Sequence, residues 1–122
     1  MNVLLGLGGT NESTAALEQT VERAKAVGDD LTIAVLEKPE SRFSQREMAE
    51  IATAHLAEAA FEADVRTLEG DPGSAIVDLA EREGFDQLVI SGGRESPMGK
   101  IRVGPIAEFI LLNATMTVKL IR

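Results

Sequence analysis

Between Leu88 and Pro105 the chain reads LVISGGRESPMGKIRVGP. A short apolar run stops at Ser91-Gly92-Gly93, a loop carrying Arg94, Ser96, Gly99, Lys100 and Arg102 follows, and a helical pattern resumes at Gly104-Pro105. This is the order of parts that holds a phosphate. Glycine lets the backbone approach a ligand closely, unpaired N–H groups of a turn point outward, and a helix N-terminus adds partial positive charge. The cationic side chains strengthen the reading, because the rest of the protein is acidic. The competing reading is a plain solvated connection, built from the residues commonest in loops and on surfaces.

The loop is not a Walker-type phosphate loop. Gly99-Lys100 looks like the end of that motif, but Ile101 stands where Ser or Thr would hold magnesium, and the first glycine is missing. The motif therefore argues against a nucleoside triphosphatase of that class. A second glycine break, Gly8-Gly9-Thr10, follows the first apolar run, so two such breaks need to be positioned by the fold.

The elements that position them alternate. Asn2 to Leu7 is a continuous apolar run, as in a strand covered on both faces. Leu17, Val21, Ala24 and Val27 recur at helical spacing before a stop at Gly28. Leu31 to Leu36 is a second strand, and Glu37 to Phe43 the longest loop, with Pro39 inside it. Ser44-Gln45-Arg46-Glu47 is a capping box, followed by a stripe of Met48, Ile51, His55 and Ala59. On that stripe His55 reads as a half-buried helix residue without a metal or catalytic partner. Ala63 to Leu68 is a weaker strand. Asp71-Pro72 starts a helix that buries Ile76, Leu79 and Ala80 and stops at Gly84. Gln87 to Ile90 is the fourth strand, Ile106 to Leu112 a helix with Phe109 and Ile110 inward, and Met116 to Ile121 the last strand.

Strands alternating with helices predict one α/β domain over residues 1–122, an open five-stranded parallel sheet with helices on both faces. With strand order 3-2-1-4-5, the order reverses between the first and fourth strands, and ligands of such sheets bind beyond the carboxyl ends at that point. Both glycine breaks fall there, which predicts a cleft between Gly8 and Ser91.

Composition removes several function classes. The 122 residues carry a net charge of −8, which argues against general nucleic-acid binding. Four Phe, no Trp and no Tyr leave no aromatic platform for single strands. The absence of cysteine removes disulfides, thiolate metal sites and thiol catalysis. No run of eighteen apolar residues spans a membrane, and the opening residues carry no basic segment or cleavage site, so the expected location is the cytoplasm. Only four of the 12 cationic residues are lysines, a balance that suits a high-salt cytoplasm or an ordinary acidic protein alike.

Over nearly its whole length the chain resembles the universal stress protein family, the UspA-type, Rossmann-like domain. Leu7-Gly8-Gly9-Thr10 before Ser13 matches the family's first strand-to-helix turn, and Ser96-Pro97-Met98-Gly99-Lys100 resembles a loop of archaeal members. One branch of the family binds ATP through Gly, two residues, Gly, nine residues, Gly, then Ser or Thr. The corresponding positions here are Ser91, Arg94, Gly104 and Pro105, a single match of four. Gly8 stands where that branch places a ribose-binding acid, and Pro105 lacks both the hydroxyl and a backbone N–H.

The resemblance implies a stress-response or regulatory protein and not an enzyme. It implies a cleft of Gly8, Gly9, Thr10, Ser91, Gly92, Gly93, Arg94, Gly99, Lys100 and Gly104 for ATP, another adenine nucleotide or a smaller phosphate-bearing anion. The adenine is expected against Ala34 and Val35, with the phosphates over Gly92 to Lys100. It also implies a homodimer through residues 116–121, with Val118 and Leu120 on one side of the strand and Thr117, Lys119 and Ile121 on the other. The alternative is a dimeric interaction module that has lost its ligand.

Overall fold

A computed structural model describes residues 1–9, 11–37, 41–91, 94–95 and 101–121. In chain order the elements are β1 (Asn2–Leu7), α1 (Asn11–Val27), β2 (Asp30–Leu36), α2 (Gln45–Glu58), β3 (Asp64–Leu68), α3 (Pro72–Arg82), β4 (Gln87–Ser91), β5 (Arg94–Glu95), β6 (Ile101–Arg102), α4 (Pro105–Asn113) and β7 (Thr117–Ile121). Five strands form one parallel sheet in the order β3-β2-β1-β4-β7, the predicted topology with β7 as its fifth strand. The short β5 and β6 pair separately as an antiparallel ribbon inside the loop that the sequence presents as irregular.

Period-two alternation divides the sheet's side chains between two cores. Leu5, Leu7, Ile33, Val35 and Val89 face α1 and α2, where Leu17, Val21, Met48 and Leu56 meet them. Leu4, Ala34, Leu36, Leu88 and Ile90 face α3 and α4, where Ile76, Leu79 and Ile110 meet them. Every residue of β1 from Val3 to Leu7 is buried, which is why that strand reads as an unbroken apolar run. Each fully enclosed Leu or Ile contributes roughly 1.5–3 kcal/mol of transfer free energy, so the central strands anchor the domain.

Polar groups fix the ends. Asp86 accepts the Asn2 N–H at 2.8 Å while its own N–H donates to the Asn2 carbonyl at 2.9 Å, locking the start of β1 beside β4. Ser44 and Glu47 close the predicted capping box of α2 with bonds of 3.0 and 3.1 Å. Asp71 caps α3, with Pro72 in its first turn. Among the described residues no helix is long and apolar enough to cross a membrane.

Three helical expectations need correction. Val27 is 55% exposed, at the final residue of α1. The buried stripe of α2 runs through Met48, Ala52 and Leu56, with Ile51, His55 and Ala59 half-buried on its flank. In α4 the inward residues are Ala107 and Ile110, whereas Phe109 is 38% exposed and lays its ring against Gly73 of α3.

Candidate functional site

Register brings the two glycine-broken strand ends side by side. Gly6 of β1 pairs with Ile90 of β4, so Gly8 and Ser91 emerge as neighbours at the carboxyl edge of the sheet. One side chain joins them. Ser13, in the first turn of α1 and fully buried, accepts the Gly8 N–H at 3.0 Å, and its hydroxyl lies 3.2 Å from that of Ser91. A small polar residue suits this position, because the turn after Gly8-Gly9 leaves backbone donors that a hydroxyl can satisfy.

Gly9 shapes the other wall. Its φ of +77° lies in the left-handed region, and a Cβ there would stand 2.6 Å from the Phe43 carbonyl oxygen and 2.9 Å from Ser41 Oγ. The Gly9 carbonyl accepts the Phe43 N–H at 3.1 Å, and Ser41 Oγ donates to the Phe43 carbonyl at 2.8 Å. Residues 41–43 are therefore seated on the end of β1. The Arg42 guanidinium stands 5.5 Å from the centroid of the Phe43 ring.

Gln45 tightens the same edge: its side-chain amide donates to the Val35 carbonyl at 3.1 Å and to the Leu68 carbonyl at 2.8 Å. Glu37 accepts the Gly70 N–H at 2.9 Å, tying the loop after β2 to the loop after β3.

Beyond Ser91 the β5–β6 ribbon sets Arg94 opposite Arg102 and Glu95 opposite Ile101. The chain then enters α4 with Gly104 as N-cap and Pro105 in its first turn, and among the described residues no side chain caps that end. An uncapped helix N-terminus leaves N–H donors and partial positive charge for an anion.

Of the expected site residues, Gly8, Gly9, Ser91 and Gly104 thus border the carboxyl edge, with Arg94 in the ribbon beyond it. Thr10, Gly92, Gly93, Gly99 and Lys100 lie outside the described residues. Ala34 and Val35 are not brought to the cleft: both have zero exposure, one in each core, because β2 is an inner strand with helices on both sides. Ser13, Gln45 and the 41–43 segment join this edge without having been singled out as site residues. The signal for Ser13 is a hydroxyl residue just inside a helix after a double-glycine break.

A profile of the universal stress protein family matches residues 1–122. The chain belongs to that family. Solved structures of the family share its fold. A universal stress protein from Archaeoglobus fulgidus is 21% identical, with a TM-score of 0.81 over 100% of this chain and 98% of that one. A universal stress protein in complex with cAMP is 21% identical, with a TM-score of 0.76 over 100% and 97% of the two chains. One from Archaeoglobus fulgidus in complex with dAMP is 20% identical, with a TM-score of 0.76 over 100% and 98%. Among curated proteins no match to the chain was found.

Proposed function

We propose that this universal stress protein is a regulatory module that binds an adenine nucleotide, or a smaller phosphate-bearing anion, at the carboxyl edge of β1 and β4. The observation that carries the reading is the Gly8–Ser13–Ser91 bridge, which draws two strand ends together at the reversal of strand order. The uncapped start of α4 and the two arginine positions on one rung of the β5–β6 ribbon support it. So do the cAMP and dAMP carried by two solved members of the family. With Gly8 in place of an acid and Pro105 in place of a hydroxyl, ribose and phosphate grips are weaker than in the ATP-binding branch, and millimolar affinity is expected.

Binding rather than catalysis is the reading for the two serines. The chain's single histidine, His55, sits ten residues along α2 from Gln45, about 15 Å down the axis from the strand ends that Gln45 ties together. No imidazole of this chain is thereby available as a base for Ser13 or Ser91. The protein is proposed to act in the cytoplasm, as a homodimer joined through β7.

One observation favours the alternative of an interaction module without a ligand: residues 41–43 already occupy the end of β1. Calorimetric titration with ATP, ADP, AMP and cyclic AMP separates the two. Saturable heat at millimolar nucleotide, in low and high salt, supports the binding reading. Its absence for all four ligands leaves the interaction module.

A further inference from the structure

The open Cα face of Gly9 is filled by the protein's own chain. In glycine turns that serve a ligand at a switch point, the missing side chain leaves space for a phosphate to approach the backbone. Here that space holds two oxygens of one segment. A Cβ on Gly9 would stand 2.6 Å from the Phe43 carbonyl oxygen and 2.9 Å from Ser41 Oγ. A carbonyl oxygen is an acceptor with partial negative charge, so it opposes an anion there by charge as well as by volume.

The segment is pinned at its ends and seated lightly between them. On one side Glu37 accepts the Gly70 N–H; on the other, the Ser44–Glu47 box and the Gln45 amide fix the start of α2. Between these pins the Phe43 N–H donates to the Gly9 carbonyl at 3.1 Å, and Ser41 Oγ donates to the Phe43 carbonyl at 2.8 Å. Ser41 and Phe43 are half-buried and Arg42 is exposed. The buried members of the adjoining core all belong to regular elements, and Phe43 is a partly buried neighbour packed against them. Unseating Phe43 therefore leaves the core's own contacts in place.

We infer that residues 41–43 are an autoinhibitory strap. Seated, they cover the cleft at Gly9; an adenine nucleotide in the β1–β4 crevice reaches Gly9 only by displacing them. The strap rests on the nucleotide-binding reading of this edge and adds its regulation. Apparent affinity equals the intrinsic affinity multiplied by the unseated fraction, so whatever lifts the strap strengthens binding without altering the site.

Hydrogen exchange and calorimetry on the full chain test strap and site separately. Without nucleotide, the Phe43 amide proton is expected to exchange by local opening, insensitive to low urea, while the Ile33 amide follows global unfolding. Phe43 exchange that follows only global unfolding overturns the strap. With AMP at ten times its apparent dissociation constant, about nine-tenths of the molecules should be unseated. Phe43 exchange then accelerates, whereas the Gly28 amide, bonded to Ala24 at the far end of α1, is unchanged. A Phe43 amide slowed or unaffected by saturating AMP places the nucleotide beside a seated strap and overturns the proposal. Phe43→Ala, with helical circular dichroism intact, should bind AMP roughly tenfold more tightly than the parent; equal or weaker affinity overturns it too. Saturable heat in neither protein refutes the nucleotide site itself, and the strap's role with it, whatever the exchange rates.

Discussion

The hydroxyls of Ser13 and Ser91 lie 3.2 Å apart although the residues are 78 positions apart in the chain, and Ser13 holds the Gly8 N–H as well. One buried side chain thus ties together the two strand ends that frame the cleft, just beyond the last rung of the β1–β4 ladder. Ser13→Ala leaves the Gly8 N–H and the Ser91 hydroxyl without this partner, and is expected to cost about 1–3 kcal/mol. Ser91→Ala keeps the Gly8–Ser13 bond and is expected to cost less, about 0.5–1.5 kcal/mol. Urea denaturation with an unchanged slope measures both. A larger loss for Ser91→Ala would mean that Ser13 is not the organising residue.

Gly9 and Gly28 share a φ of +77°, but only Gly9 has neighbours within 4 Å of an added Cβ. Gly28→Ala therefore reports left-handed strain alone, roughly 1–2 kcal/mol. Gly9→Ala adds a collision with the Phe43 carbonyl, a backbone atom that cannot rotate away, and is expected to cost about 1–3 kcal/mol more. Exchange of the Phe43 amide proton should accelerate in Gly9→Ala and stay unchanged in Gly28→Ala. Equal stability losses in the two variants would show that residues 41–43 give way freely.

The parts legible in the sequence are those where local chemistry and tertiary packing agree. The Ser44–Glu47 box, the Asp71-Pro72 start and the apolar run of β1 each carry a local signal, and the structure uses each one. The parallel sheet with helices on both faces followed from the alternation of strands and helices, and its strand order from the family resemblance. Long-range hydrogen bonds left no such trace. Gln45 reaching Val35 and Leu68, or Ser13 meeting Ser91, depends on which strands become neighbours, and spacing along the chain does not encode that. The side-chain roles of Ala34 and Val35 could not be read for the related reason that a strand buried on both faces offers no exposed side to a ligand.

Two helix starts titrate in acid. The Ser44 backbone N–H donates to Glu47, and the Ser74 backbone N–H donates to Asp71. These bonds hold the two carboxyls below their ordinary values of 4.5 and 3.8. A carboxyl whose folded pKa is depressed contributes stability above its unfolded pKa and loses it as pH falls through the folded value. Stability should therefore be flat in these groups from neutral pH to about pH 5 and decline below their ordinary values. Glu47→Gln with Asp71→Asn keeps oxygen acceptors at both caps but removes the titration. The double variant should show a shallower acid limb between pH 5 and pH 2 in denaturation midpoints. An acid limb as steep as that of the parent would assign the pH dependence to other carboxylates.

At the free edge of the sheet, β7 pairs with β4 on one side and with no described strand on the other. An open edge of this kind invites a second strand. Its side chains alternate as expected: Val118 and Leu120 pack toward α3 and α4, Thr117 and Lys119 are exposed on the other side, and Ile121 joins the core there. Beside it, α4 leaves Phe109, Leu111 and Leu112 at 38%, 44% and 76% exposed, and Val103 just before the helix is 39% exposed. Antiparallel pairing of two β7 strands about a two-fold axis would be self-complementary and would bring these apolar residues toward a shared boundary. Light scattering should give twice the 13.0 kDa chain mass at tens of micromolar protein. Leu111→Glu with Leu112→Glu replaces residues already exposed in the single chain, so it should leave the helical circular dichroism unchanged and shift the mass to monomer. A wild-type mass of one chain would exclude the dimer under those conditions, and a double variant still dimeric would place the contact away from α4.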